Sequence, residues 1–150
     1  YWEKRYYDVL FDSNDTTNFK RRVSTNYLEG LEWVMRYYTT GCYNWRWHYK
    51  FNYPPLLKDL VKFIPRWNVS LLEENYNSVS SNVQLAYVLP KESLKLLPVK
   101  IYVKLNSKMN HLYKDDCELI WAFCKYIWES HVNLPDIDID ELEDFVDNIQ

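Results

Sequence analysis

Residues 18–39 read NFKRRVSTNYLEGLEWVMRYYT, and this stretch decides the fold. Phe19, Val23, Tyr27, Leu31, Val34 or Met35, and Tyr38 recur every three or four positions, so they share one face of an α-helix. The polar run from Asp12 to Thr17 ahead of them supplies a loop and a helix cap. Gly41 behind them supplies a stop. The spacing therefore predicts a helix over 18–39.

Working outward, Trp2, Tyr6 and Leu10 stand four apart, so the first ten residues are helical or extended. Beyond Gly41 the period changes. Trp45, Trp47, Tyr49, Phe51 and Tyr53 alternate with Asn44, Arg46, His48, Lys50 and Asn52, which predicts an extended segment with an aromatic face and a polar, partly basic face. Pro54-Pro55 ends it, and Pro55 suits the first turn of a short helix through Leu56, Leu57, Leu60 and Val61. Residues 65–80 read as a loop with an apolar patch at Val69, Leu71 and Leu72. Ser81-x-x-Gln84 has the form of a capping box and opens a helix through Leu85 and Val88 that Pro90 stops. A further short helix through Leu94 and Leu97 ends at Pro98. Residues 99–113 fit either period. Residues 117–128 are apolar enough to be buried and read equally as helix or strand. Asp138-x-x-Glu141 caps a last helix near 139–148, whose early acids suit the positive N-terminal end. The expected fold class is mainly α, a helical domain with a short extended aromatic segment or hairpin and little sheet. No repeat or flexible linker divides the chain, so one domain over 1–150 is expected.

Composition narrows the function. Seven Trp and fourteen Tyr beside two Gly give aromatic surface for a dense core and for stacking on bases. The net charge of −3 is not that of a self-sufficient nucleic-acid binder. Basic residues gather in the first half, at Lys4, Arg5, Lys20, Arg21, Arg22, Arg36, Arg46 and Lys50, while the last fifteen residues are acidic. Cys42, Cys117 and Cys124 form no Cys-x-x-Cys pair and are odd in number, which argues for reduced thiols rather than a disulfide framework. His48, His111 and His131 are scattered, without zinc-ligand spacing. No leader pattern and no apolar run of the ~18 residues a membrane span needs is present, so a soluble intracellular protein, cytoplasmic or nuclear, is expected with no membrane partner. The opening at Tyr1, inside an aromatic and charged stretch, reads as a piece of a longer polypeptide.

At residues 27–60 the sequence resembles a known family. Tyr27-Leu28-Glu29-Gly30-Leu31-Glu32-Trp33-Val34-Met35-Arg36-Tyr37-Tyr38, then Gly41-Cys42, Trp45-Arg46-Trp47, Tyr49, Tyr53, Pro55 and Asp59, is similar to the XRN family of 5′→3′ exoribonucleases. There a helix of the form Tyr-x-Glu-Gly-Leu-x-Trp-Val leads into Gly-Cys-x-Ser-Trp-x-Trp-x-Tyr-Pro. Weaker pieces keep the family's order on both sides: Arg5-Tyr6-Tyr7, Phe19 to Val23, Gln84-Leu85, Val88-Leu89-Pro90, Leu96-Leu97-Pro98, Trp128-Glu129 and Leu134 to Asp138. Asn44, Lys50, Asn52 and Pro54 depart from the family's usual Ser, Pro, His and Ala. Together with a short 65–80 segment, these are the marks of a divergent, viral-type branch.

The resemblance implies that the chain is the helical second conserved region, an internal or C-terminal piece of a longer nuclease. It implies that the parent degrades single-stranded RNA bearing a 5′ monophosphate processively, using magnesium or manganese. The metal-binding acids would lie in an N-terminal nuclease region of the same chain, outside this piece, which would itself be inactive and hold neither catalytic nor metal-ligating residues. The segment would brace that region and help form the substrate pocket. The family stacks a tryptophan from this region on the bound nucleotide, which points to Trp45 or Trp47 without choosing between them. Arg46, Tyr49 and Lys50 are further candidates for RNA contact, set against a packing role for Tyr49 and a solvated face for the two cations. Trp33, Tyr37 and Tyr38 read as core at helical spacing. Arg21 and Arg22 face either RNA or a surface salt bridge.

Two other readings belong beside this one. Asp136-x-Asp138-x-Asp140 fails as a calcium loop, because Glu141 stands where the turn needs Gly and Asp147 where a bidentate Glu is required; the acids serve the helix start instead. A domain of this kind can also act without a nuclease, as a non-catalytic protein-interaction or scaffold module presenting exposed aromatics.

Overall fold

Two helices lead the chain, α1 (Trp2–Phe11) and α2 (Thr17–Thr39), in a computed structural model that describes residues 2–12, 16–114, 116–121 and 123–149. Residues 13–15 of the predicted loop and residue 122 of the apolar run lie outside the described residues. The predicted cap is present: Thr16 Oγ1 accepts from the Phe19 N–H at 3.3 Å. Its far end closes as the sequence suggests. The Thr40 and Gly41 N–H groups both donate to the Arg36 carbonyl, and Gly41 takes φ +108°, a conformation open to glycine and strained for other residues.

The chain divides into two compact units, Tyr1–Ser78 and Val79–Gln150. In the first, α1 and the N-terminal part of α2 meet through aromatic rings. Phe11 lies 5.6 Å from Phe19 and 6.2 Å from Phe51, and Tyr7 meets Phe19 edge-on at 6.5 Å. Such pairs each add roughly 0.5–1.5 kcal/mol to the burial of their area. The short helix α3 (Leu57–Leu60) packs on α2 and carries Asp59, whose side chain is buried. Tyr7 Oη donates to Asp59 at 3.2 Å and accepts from the Leu56 N–H at 3.1 Å, so one phenol joins α1 to α3.

Between Gly41 and Tyr53 the chain runs back along α2. Trp33 Nε1 donates to the Asn44 carbonyl at 2.8 Å, Trp47 stands over Gly30, and Tyr49 meets Tyr27 at 5.8 Å. The Lys50 N–H then donates to Asn26 Oδ1 at 2.8 Å, and Phe51 meets Phe19 at 5.9 Å. This ribbon forms no strand among the described residues: it bends at 43, 45–46 and 50–53 around a straight stretch at 47–49, with one parallel bridge between Asn44 and Asn75. The physical reason is length. Residues 44 to 50 would span about 20 Å as a strand, yet their partners 33 to 26 rise only about 10 Å along the helix. The ribbon must fold up on itself to stay matched. The alternation survives from Trp47 to Tyr53, with 47, 49, 51 and 53 half-buried and 48, 50 and 52 exposed, and it inverts at Trp45.

In the second unit, α4 (Ser81–Val88), α5 (Val99–Lys108) and α6 (Ile139–Asp147) enclose a core of Val83, Ala86, Leu94, Ile101, Leu105, Leu142 and Val146. The α4 cap is Ser80, whose Oγ accepts from the Val83 N–H at 3.5 Å, one residue earlier than the predicted Ser81. Of residues 99–113, Val99–Lys108 resolve as α-helix, because Ile101 and Leu105 sit one turn apart and both are buried in this core, and Asn110–Leu112 as a short 3-10 turn. Tyr113 Oη donates to the Ala86 carbonyl at 2.8 Å, which satisfies a phenol buried among these aliphatic groups. Asp138 caps α6 as predicted, accepting from the N–H groups of Asp140 and Glu141. Within 117–128 the sequence left helix and strand open. Residues Glu118–Ile120 (β1) pair antiparallel with His131–Asn133 (β2), with Leu119 opposite Val132. The expected burial of this run is corrected: Trp121, Phe123, Ile127 and Trp128 are exposed within the unit. The fold is mainly α, with one two-stranded sheet among the described residues.

Candidate nucleic-acid interface

The ribbon over α2 sorts the predicted site residues by what each side chain touches. Trp47 is half-buried and serves packing. Its ring stacks against Trp33 at 6.1 Å with 24° between planes, and Nε1 donates to Glu29 Oε2 at 3.4 Å. Beneath it lies Gly30, where an added Cβ would come within 2.7 Å of Trp47 Cη2. Glycine at this helical position is thus required by the close approach of the indole and not by a turn.

Trp45 is different. It is 57% exposed, and its backbone is hydrogen-bonded to a neighbouring segment. The Trp45 N–H donates to the Asn75 carbonyl at 2.9 Å, and the Asn75 N–H returns to the Tyr43 carbonyl at 3.1 Å. The flanking polar side chains turn inward. Asn44 Nδ2 donates to the Glu73 carbonyl, Asn44 Oδ1 accepts from the Arg46 N–H at 2.8 Å, and Arg46 Nε donates to the Asn77 carbonyl at 3.0 Å. These contacts use Asn44 and Arg46 to fasten the 73–77 segment and leave the indole between them facing out. This explains the inversion of the alternation at Trp45.

That neighbouring segment is held to α2 by Glu32. One carboxylate oxygen accepts from the Leu71 N–H at 2.8 Å; the other accepts from Ser70 Oγ and from Arg36, whose guanidinium lies 4.0 Å from the centre of the Tyr43 ring. Burial alone would raise the Glu32 pKa, but the Leu71 N–H, Arg36 and Ser70 outweigh it and hold the carboxyl below its usual range. No sequence pattern announces this clamp, since Glu32 and Leu71 are 39 residues apart.

The other candidates separate in the same way. Tyr49 Oη donates to the Tyr53 carbonyl at 2.7 Å, and burial followed by the nearby phenols holds its pKa well above the usual tyrosine range. Its hydroxyl is committed inside the unit. Lys50 is exposed and lines an open cleft with Arg21 and Arg22. Among the described residues no three His, Cys, Asp or Glu side chains come together to hold a metal ion. Asp138, of the acidic triplet, spends its carboxylate on the α6 cap. The described residues therefore do not fit a divalent metal centre.

An outward indole on a hydrogen-bonded ribbon packed along α2 is the feature these contacts build. The model of the Xrn1 helical domain matches residues 1–150, both units included. The chain belongs to the Xrn1 helical domain family. Among its relatives in this family, the 5'-3' exoribonuclease 2 homolog of Caenorhabditis elegans is 33% identical over 144 residues, covering 91% of this chain and 14% of that protein. The 5'-3' exoribonuclease 2 of Gallus gallus is 33% identical over 143 residues, 91% of this chain and 15% of that protein. That of Neurospora crassa is 32% identical over 150 residues, 94% of this chain and 14% of that protein. The chain thus spans about 14% of the length of the curated relatives it matches. No helix among the described residues is long and apolar enough to cross a membrane.

Proposed function

We propose that this XRN helical domain braces the catalytic region of a 5′→3′ exoribonuclease and presents Trp45 to the first nucleotide of a single-stranded, 5′-monophosphorylated RNA, which the parent enzyme degrades processively. The carrying observation is the exposed Trp45 indole on a backbone pinned from both sides by Asn75. A stacking platform must be both accessible and immobile, because the gain on stacking, roughly 1–3 kcal/mol per base, is otherwise spent on ordering the ring. Trp47 supports that platform by setting the ribbon on α2. Arg46, whose Nε donates to the Asn77 carbonyl, adds positive charge behind the platform. The magnesium or manganese ion would be held by another part of the parent protein. In the full-length enzyme, Trp45→Ala should slow hydrolysis of 5′-monophosphorylated RNA about 5- to 150-fold, the range that the stacking energy implies, with the fold intact. An unchanged rate would remove the stacking role.

A second reading has its own support. The β1–β2 connection exposes Trp121, Phe123 and Ile127, and stacks Tyr126 on Trp128 with centroids 4.5 Å apart, which suits a non-catalytic protein-interaction or scaffold module. The parent sequence preceding this domain separates the two: a set of acidic residues of the metal-binding kind supports the nuclease, and its absence supports the module.

A further inference from the structure

The cleft on α2 contains positive charge that no acidic side chain among the described residues pairs with. Arg21, Arg22, Thr25, Asn26, Glu29 and Lys50 line it, Phe51 closes it, and its volume is about 350 Å³. This lies in the size range of small-ligand sites, roughly 300–1,000 Å³. Among the described residues no carboxylate pairs with Arg21, Arg22 or Lys50, although the neighbouring cations Lys20, Arg36, Lys58 and Lys62 all have acidic partners. Glu29 is the one acid in the lining. Its Oε2 already accepts from Asn26 Nδ2 at 2.7 Å and from Trp47 Nε1 at 3.4 Å. Among the described residues the cleft therefore sets three cations without an acidic partner against one carboxylate that is turned to other work.

Lys50 is placed there by its main chain. Its N–H is bonded to Asn26 Oδ1, which leaves the ammonium free while the backbone is fixed across from the two arginines. The unit that carries the cleft is also the positive part of the chain. Residues 1–78 contain eleven Lys and Arg against nine Asp and Glu, while residues 79–150 contain seven against twelve, so the anion-attracting field is local to the first unit.

We propose that Arg21, Arg22 and Lys50 form a phosphate-binding cleft for the backbone of a single-stranded nucleic acid, built from residues other than the Trp45 platform. Two arginine forks with an ammonium and the Thr25 hydroxyl suit phosphate oxygens, which accept from several donors at once. A second hollow of about 380 Å³ shares Arg21 and Thr25 and is lined by Lys62 as well as by Leu28, Phe63, Ile64 and Leu71, so the positive lining continues past the first cleft. The proposal rests on the reading that the parent protein handles RNA, and it assigns a contact away from the strand's 5′ end.

The test uses the full-length parent protein and a fluorescent oligouridylate with a 5′ hydroxyl, which removes the 5′ phosphate from the measurement. Affinity is followed by anisotropy across a salt series. For single strands the salt slope falls by about 0.7 per phosphate contact. The variant Arg21→Gln/Arg22→Gln/Lys50→Gln should therefore flatten the slope by about 2 and weaken binding at low salt by tenfold or more. A control with the same charge change, Lys91→Gln/Lys95→Gln/Lys100→Gln, should leave the slope as in wild type. Equal flattening in both variants, or none in the first, overturns the cleft. Competition by polyglutamate as strong as by unlabelled oligouridylate at equal charge overturns it in favour of an acidic peptide. Displacement by inorganic phosphate, beyond that of chloride at matched ionic strength, would assign free phosphate as the source in place of a polymer. Trp45→Ala should keep the wild-type salt slope, so failure of the stacking platform and failure of the cleft give different results.

Discussion

The Trp47 indole rests on the backbone of α2 at Gly30, so closely that a Cβ there would lie 2.7 Å from its Cη2 atom. The ring cannot swing aside freely, since Trp33 stacks on it and Glu29 holds its nitrogen. Gly30→Ala in an exposed helix would gain about 1 kcal/mol from propensity. Here overpacking of about 1–3 kcal/mol should win. Thermal unfolding of the chain should show a lowered Tm with altered tryptophan fluorescence; a raised Tm would mean the indole moves at little cost.

The two ribbon tryptophans should differ in what they do for stability. Trp47→Ala removes a half-buried ring from α2 and should cost about 2 kcal/mol, below the 3–5 of a fully buried tryptophan. Trp45→Ala removes an exposed ring and should change stability by less than about 0.5 kcal/mol. Denaturant titrations of the two variants check the ordering. Equal losses would place both rings in the core.

Asp59 is 3% exposed and receives Lys62 at 2.7 Å, Lys20 at 3.5 Å and the Tyr7 hydroxyl. Burial alone would raise its pKa, but the hydrogen bond from Lys62, the charge of Lys20 and the Tyr7 phenol outweigh it, so the folded value lies below the usual aspartate range. The sign follows. A depressed folded pKa adds stability above the unfolded value of about 3.9 and loses it as pH falls through the folded value. Asp59→Asn should therefore be less stable than wild type near neutral pH, and the gap should begin to shrink below about pH 4 and narrow further as pH falls through the folded value. Urea melts of both proteins at several pH values measure it, and a gap independent of pH would rule out the charge as its origin.

Glu32 ties the Leu71 N–H to α2. Glu32→Gln keeps the shape and removes the charge from three hydrogen bonds, each worth roughly 1.5–3 kcal/mol when charged. The Leu71 amide should exchange with solvent at least tenfold faster in the variant, while the Leu105 amide on α5 should not change. Hydrogen exchange read by NMR at these two amides decides it.

Ser24 lies fully buried on α2, and its hydroxyl has no hydrogen-bonding partner among the described residues. Ser24→Ala removes an unsatisfied buried group and improves helix propensity, so it should stabilise the first unit by about 1 kcal/mol. A fall in Tm would show that the hydroxyl is satisfied in solution.

Local rules were legible in the sequence, and partnerships were not. Thr16, Gly41 and Asp138 act on their own next few residues, so composition alone located the ends of α2 and the start of α6. The period-two pattern after Gly41 was real from Trp47 to Tyr53. Its partner is a helix and not a strand, and periodicity carries no information about what lies opposite. The same gap explains residues 117–128: apolar content measures what a segment can bury, not whether its own unit covers it. At the site, the family motif singled out Trp45 and Trp47 together. What separates them is Asn44 and Arg46 reaching Glu73 and Asn77, contacts about thirty residues distant in sequence. That no acid among the described residues pairs with Arg21 or Arg22 was equally beyond a one-dimensional reading, since it depends on which acids the fold brings near them.

The ribbon's match to α2 carries a further consequence. Because the chain between Asn44 and Lys50 is contracted, it has slack, and losing one residue would not leave it too short. Removing one would instead flip its parity: the side chains that now face the helix would face solvent, and His48 or Lys50 would be driven onto Gly30 and Tyr27. Losing two would restore the facing set. In this stretch, natural variants should differ by even numbers of residues, a rule about odd and even that the reach of the backbone alone would never impose.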